Sequence, residues 1–492
     1  MSVVIPVYNA GDYLVECLDS LVRQDLPPDK FEVIAVDDGS TDGSGLVLDT
    51  YATKYGNFHV IHQPNSGWPG RPRNVGTDAA RGEFLFYMDA DDYVGPETLR
   101  RTYDFAVRHS SDVVVVKLVS IGGRWQGYAA WKDTQVDADL DRALLTFTPQ
   151  KLFRRAFLQA HGIRFDEGKV RLEDGMFVTE AYLRASRVSI LADYDYYFLR
   201  QRADGANISS QRLEPAAYIA SVTRIVELIL NLHPDPDAAI RLALGVYRRK
   251  ALKVFRPERF LAYDAERRAG WVRAVKALAD DYLPQRYDAE LRHPFRLRSH
   301  VARLGDPAAM ALLAELELDK GIRATVDNGV VTIGLPEGLG GGFMDVTHNI
   351  AAEACLERVS VTGSTFEVLV LARFVALPSE VFDAAVTLRR RGSDEEVRAV
   401  CEALGERHGW HAFKAAIPHS RLAGQSTVLW DAWIVVPLSG AEARARISVD
   451  SGMTGPAPGS VGPQHAINHG QSRQWAYVTE RGNVSIRSEP RR

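Results

Sequence analysis

Cysteine is scarce in this 492-residue chain: Cys17, Cys355 and Cys401 form an odd, scattered set without metal-binding spacing. That argues against a disulfide framework and fits reduced core residues. No uninterrupted apolar run approaches the roughly 20 residues that a membrane-crossing helix needs. The first strand-like run starts at Ser2 with no signal peptide before it. The expected location is therefore the cytosol, with peripheral association at the inner face of the cell membrane as a second option. Charge of either sign is also not in excess, 59 Lys and Arg standing against 63 Asp and Glu for a net −4. No nucleic-acid partner is expected, and a polyanionic partner would have to be met by a local patch. No internal repeat or long low-complexity tract occurs. A Gly-x-x-x-x-Gly-Lys-Ser/Thr segment is missing too. Gly162 to Lys169 has the wrong spacing and no hydroxyl after the lysine, which excludes a P-loop ATPase.

What is there is a chain 46% apolar and 25% charged, longer than one core usually supports, so two or three domains are expected. Strand and helix patterns alternate over residues 1–210. Over 211–321 the apolar spacing is helical, as in Tyr218, Val222, Ile225 and Leu228-Ile229, with Pro234 and Pro236 interrupting. Over 322–492 short alternating runs take over, such as Val330 to Ile333, Phe366 to Val370 and Trp430 to Val436. Their spacing predicts an antiparallel β-sandwich. Gly455 to Pro463 reads as a loop. Trp475 to Val478 and Val484 to Ile486, around Arg481-Gly482-Asn483, read as a closing hairpin.

The densest chemistry lies at Phe84-Leu85-Phe86-Tyr87-Met88-Asp89-Ala90-Asp91-Asp92, an apolar strand delivering three carboxylates at its carboxyl end. Open α/β sheets bind ligands at that end. Asp-x-Asp suits a hard divalent cation that shares its ligands with substrate phosphates; an acidic loop capping the next helix is the plain alternative. Val3 to Asn9 and Phe31 to Ser40 are two more apolar runs ending in polar turns. Between them Leu14, Cys17, Leu18 and Leu21 recur at helical spacing. This order is a βαβ unit with Asp37 and Asp38 at its ligand edge. One of that pair is expected to cap the Ser40-Thr41-Asp42 turn, and Asp37 is the better candidate.

These segments resemble inverting family 2 glycosyltransferases of the GT-A fold, which use nucleotide-sugar donors. Gly82-Glu83-Phe84, Lys151 to Arg155, Gly162 to Phe165, Glu173-Asp174 and Tyr196-Tyr197 fit the same pattern. Asn65 to Val75, Ser111-Asp112-Val113 and Ala181 to Ser189 add a resemblance to the bacterial wall teichoic acid enzymes that attach N-acetylglucosamine to poly(ribitol phosphate). The similarity is dense to about Ser210.

The resemblance implies a UDP-sugar donor site at Pro6, Tyr8, Asp38, Asn65 and Arg73, with Asp38 accepting from the uracil imide. It implies Mn²⁺ or Mg²⁺ on Asp91, with Asp89 serving the ribose and the metal shell. Arg202 is implied to bind the diphosphate. Asn207 stands where relatives carry a histidine; an amide can ligate metal or phosphate but carries no charge. Asp174 is implied to be the catalytic base of a direct displacement, with Glu173 opening a helix. Trp68, where relatives have glycine, would stack on a sugar, narrow the acceptor channel, or pack as a rim aromatic. Arg249, Lys253 and Arg256 fall on one helical face, either solvated or a cradle for the phosphates of an anionic polyol-phosphate acceptor. The carboxyl-terminal module, tandem in relatives and single here, would build a homotrimer, bind glycan or only dock. A family 2 enzyme of capsule or exopolysaccharide synthesis is the alternative activity. A catalytically dead glycan-binding scaffold is the alternative class, against which the intact set Asp38, Asp89, Asp91 and Asp174 speaks.

Overall fold

The structure, a computed structural model, describes residues 1–122, 128–131, 133–202, 213–319, 321–322, 324–350, 352–362, 364–374, 383–407, 410–422, 427–448, 467–469, 472–478 and 483–490. Asn207, Gly455 to Pro463, Arg481 and Gly482 lie outside the described residues. The chain divides into two compact units, Met1–Val254 with Glu266–Tyr287, and Phe255–Ala265 with Asp288–Arg492.

The first unit is built on strands β1 (Ser2–Val7), β2 (Glu32–Asp37), β3 (Phe58–His62), β4 (Phe84–Tyr87), β5 (Tyr93–Val94), β6 (Val113–Val116), β7 (Leu118–Ile121), β8 (Lys151–Arg154), β9 (Val188–Leu191) and β10 (Tyr197–Arg200). Seven of them form one sheet in the order β3-β2-β1-β4-β8-β6-β9. It is parallel except for β8, which runs antiparallel between β4 and β6. Strands buried on both faces read as continuous apolar runs, and Phe84, Leu85, Phe86 and Tyr87 are all at most 1% exposed. A second sheet, β5-β10-β7, flanks the acidic turn after β4. The helix Tyr13–Val22 buries Leu14, Cys17, Leu18 and Leu21, the stripe expected from the spacing.

Helices follow, as the apolar spacing predicts. Pro215–Leu232 is long and apolar enough to cross a membrane by length and composition, but Val222, Ile225, Val226 and Ile229 are fully buried in this unit. Its Ile225 packs on Gly175 of the helix Glu173–Arg184. Pro236 opens the next helix, capped by Asp235, which accepts from the backbone N–H groups of Asp237 and Ala238.

The second unit departs from the expected sandwich. After a small sheet of β11 (Ala324–Asp327), β12 (Val330–Gly334) and β13 (Phe343–Asp345) come β14 (Ala352–Thr362), β15 (Thr365–Phe374), β16 (Ala385–Arg390), β17 (Glu396–Arg407), β18 (Trp410–Pro418), β19 (Val428–Leu438) and β20 (Ala441–Ser448). They pair in the order β16-β17-β18-β15-β14-β20-β19, and β16 also pairs with β19 from Ala385↔Val435 to Arg390↔Trp430. That pairing closes a seven-stranded barrel. Inward and outward residues alternate in a barrel wall as they do in a sandwich sheet, so spacing alone could not separate the two. Three further strands, β21 (Ile467–His469), β22 (Ser472–Val478) and β23 (Val484–Pro490), extend from β19. β22 and β23 form the expected hairpin.

Candidate active site

The ligand edge of the large sheet carries two acidic turns. At the end of β2, Asp37 accepts from the Ser40 N–H and faces His62 Nδ1 at 2.9 Å, so it does hold the turn. Asp38 is buried and also engaged: it accepts from Gln63 Nε2 at 2.6 Å and from the N–H and hydroxyl of Ser66. Asp38 thus pins the 63–66 loop, while Asp37 holds the turn at Ser40. There Asn65 Oδ1 takes the Gly67 N–H, while Tyr8 is half exposed. Pro6 lies in β1. Gly39, at φ +74°, has room for no side chain, because a Cβ would sit 2.7 Å from Asn65 N.

At the end of β4 the acids meet a cation instead. Arg73, almost wholly buried on the helix Gly70–Ala79, donates from Nη2 to Asp89 Oδ1 at 2.8 Å and from Nη1 to Asp174 Oδ1 at 2.5 Å. Glu173 Oε1 lies 3.6 Å from the same Nη1. One guanidinium therefore spans the acid after β4 and the acids opening the helix Glu173–Arg184. Of the residues singled out in the sequence, Arg73, Asp89 and Asp174 are brought together most tightly. Leu172, the cap residue, is a non-glycine at φ +60°, a strained conformation of the kind that collects at functional sites.

Burial pushes the Asp174 carboxyl well above the usual aspartate range; Arg73 opposes that, the charges of Glu173 and Asp89 add to it, and Lys151 opposes it. Glu173 is raised chiefly by burial as well. Lys151, enclosed at the start of β8, donates to the Thr148 carbonyl and is lowered by burial to about 7. Burial pushes Asp92 up, and the neighbouring charges of Asp89 and Asp91 push it further, although the Arg200 N–H and the Tyr197 hydroxyl donate to it.

Gln150 was not foreseen as a site residue. Its Nε2 donates to Asp89 Oδ2 at 2.6 Å, which the insertion of antiparallel β8 next to β4 makes possible; no sequence signal marks it. Tyr197, of the Tyr196-Tyr197 motif, accepts the Asp89 N–H on its hydroxyl oxygen and donates to Asp92. Arg202 reaches the end of β1, where it donates to the Asn9 carbonyl and lies over the Tyr13 ring.

Two local expectations are corrected. Trp68 is only 5% exposed, with the Arg171 guanidinium over its ring, so it is packed on its loop and offers no open face for a sugar to stack on. Arg249, Lys253 and Arg256 do not share a regular helical face, because residues 247–251 form a π-helix and 252–255 a 3₁₀ turn, which breaks the 3.6-residue period. Arg249 turns inward, donating to the Leu144 carbonyl and lying over the Phe147 ring; burial lowers it to about 10. Lys253 and Arg256 are exposed.

Among the described residues no three His, Cys, Asp or Glu side chains converge to hold a metal by themselves. Asp89 and Asp91 nonetheless offer two oxygen donors beside a third carboxylate, Asp92, whose ionisation their charges oppose. Such a donor set fits an ion that completes its shell with substrate phosphate and water.

This strand order, with acids at the edge and an antiparallel insertion, has counterparts among known proteins. Residues 2–172 match the family Glycosyl transferase family 2, and residues 215–314 match the Glycosyl transferase TarS linker domain. The poly(ribitol-phosphate) β-glucosyltransferase of Bacillus spizizenii is 36% identical over 334 residues, 67% of this chain and 52% of that protein. The poly(ribitol-phosphate) β-N-acetylglucosaminyltransferase TarS of Staphylococcus aureus is 34% identical over 309 residues, 62% of this chain and 53% of that one. A crystal structure of S. aureus TarS 1–349 in complex with UDP-GlcNAc matches 70% of this chain and 98% of its own, at 32% identity and a TM-score of 0.63. The chain belongs to glycosyltransferase family 2, with a linker of the TarS type. It spans about half the length of the curated relatives it matches.

Proposed function

We propose that this protein moves a hexose, N-acetylglucosamine or glucose, from a UDP-sugar to a hydroxyl of poly(ribitol phosphate) or a similar polyol-phosphate polymer, inverting the anomeric carbon. The observation that carries this reading is Arg73 joined to Asp89 on one side and Asp174 on the other. It holds a candidate base at a fixed place relative to the donor edge of the sheet. Relatives named for glucose and for N-acetylglucosamine transfer support the choice of sugars.

Asp174 takes the proton of the acceptor hydroxyl while that oxygen bonds to the anomeric carbon. The bond from that carbon to the UDP oxygen breaks, and UDP departs with the electron pair, so no covalent enzyme intermediate is needed. Arg73 favours the ionised form of Asp174 that can accept the proton, and Gln150 and Arg73 together fix Asp89. Asp91, with Asp89 in the surrounding shell, would hold Mn²⁺ or Mg²⁺, which when bound neutralises diphosphate charge. Arg202, beside Asn9 at the end of β1, is placed to reach a diphosphate with its guanidinium.

The test is UDP release from a panel of UDP-sugars with Mn²⁺, with and without poly(ribitol phosphate), for wild type and Asp174→Asn. Polymer-stimulated release that disappears in the variant supports the reading. Release indifferent to polymer and to the substitution would overturn it.

A further inference from the structure

The outer wall of the barrel carries a cationic pocket that the transfer reaction does not use. Its volume is about 390 Å³, and it is lined by Arg389, Arg390, Arg391, Asp394, Asp431, Trp433 and Arg446.

The strand period explains how this lining arises. Along β19, Asp431 and Trp433 face outward while Trp430, Ala432 and Ile434 face the core. On one side the register sets Arg389 opposite Asp431, and on the other Arg446 opposite Trp433. Arg391 follows from the end of β16, donating to Asp431 at 2.7 Å; Arg446 lies 2.6 Å from the same oxygen. Arg444 and Arg446 both lie over the Trp433 ring, at 4.6 and 5.2 Å. Burial opposes the charge of Asp431, but hydrogen bonds from Arg446, Arg391 and Ser485 hold its carboxyl well below the usual range. Asp431 therefore acts as a fixed anchor for two guanidinium groups. Asp394, itself exposed, accepts from Arg389 at 2.6 Å.

Four arginines against two aspartates leave the lining itself with two positive charges in excess, reduced to one by Glu395, which pairs with Arg390 from beside the pocket, in a chain whose net charge is −4. Arginine forks held in place in this way suit the oxygens of a phosphate group. We propose that this pocket on the barrel wall binds a phosphodiester group of a polyol-phosphate polymer, a second contact for the acceptor outside the transferase sheet. The polymer's identity rests on the function proposed above; the phosphodiester chemistry rests on the pocket.

Direct binding of poly(ribitol phosphate) to the full chain without UDP-sugar tests this, comparing wild type with the double variant Arg389→Gln, Arg390→Gln. These two arginines are exposed, with exposed acidic partners, and an unchanged thermal unfolding midpoint would show that the barrel is intact. Affinity is expected to fall about tenfold, and KM to rise for long polymer while kcat is unchanged. Arg391→Lys, which keeps the charge but loses the fork, is expected to fall between the two. Equal polymer affinity in wild type and double variant would overturn the proposal. So would binding to phosphatidylglycerol vesicles with none to polymer, which would make a lipid headgroup the source of the phosphate. Because binding is read without transfer, loss of the transferase reading alone would leave the affinity difference standing.

Discussion

The turns after β2 and β4 look alike in sequence, each an apolar strand ending in adjacent or near-adjacent aspartates, yet they are satisfied in opposite ways. Asp37 and Asp38 are met mainly by neutral donors of the local chain, the Ser40 and Ser66 N–H groups and the Gln63 amide. Asp89 is met by a buried guanidinium that also holds Asp174, and Asp92 is left with a raised carboxyl. The first arrangement fixes a loop; the second keeps charge concentrated where a substrate can use it. An acidic motif is thus defined by what reaches it from other elements.

The largest effect is expected from Arg73→Gln. It leaves Asp89, Glu173 and Asp174 without their shared cation, and breaking a buried pair costs about 3–5 kcal/mol; the urea midpoint should fall accordingly and transfer should be lost. A variant as stable as wild type would remove the contrast between the two turns. Asp174→Asn should keep the fold and lower kcat by about 10²–10⁴-fold. In the wild type, transfer should rise with pH through a value above the ordinary aspartate pKa of about 3.9, since burial and the charges of Glu173 and Asp89 oppose ionisation more than Arg73 and Lys151 favour it. An acidic limb at the ordinary value would speak against Asp174 as the base.

Smaller effects belong to the β2 turn. Asp38→Asn replaces an acceptor oxygen by a donor facing the Ser66 N–H, and should cost about 1–3 kcal/mol in stability, read by chemical denaturation. The smallest is His62→Gln. His62 is raised by hydrogen bonds to Asp37 and Asp49, so its stabilisation is present below the unfolded histidine value and lost as pH rises through the folded one. His62 itself is half exposed, and the deficit should be about 0.5 kcal/mol in acid and vanish in alkali. A deficit that grows with pH would reverse that assignment.

Much of the first unit was legible because its strands are buried on both faces and its first helix carries a clean apolar stripe. Leu14, Cys17, Leu18 and Leu21 sit where their spacing puts them. The barrel was not distinguishable from a sandwich, because closure depends on β16 meeting β19, a pairing between distant segments that leaves the alternation unchanged. Gln150 escaped for a related reason, since its approach to Asp89 depends on β8 running against its neighbours. The basic stretch from Arg249 misled because a π-helix changes the angular step between residues.

Gly70 makes the arginine-centred site depend on the absence of one side chain. A Cβ there would stand 1.9 Å from the Asp166 carbonyl oxygen, so the helix bearing Arg73 rests backbone against backbone. A saturation library at position 70, screened for folded protein, should return glycine alone. The Asn74 side chain, which donates to the Phe165 carbonyl and accepts from the Phe165 N–H, ties the same helix to that segment, so Gly70 and Asn74 together set how far Arg73 reaches toward its acids.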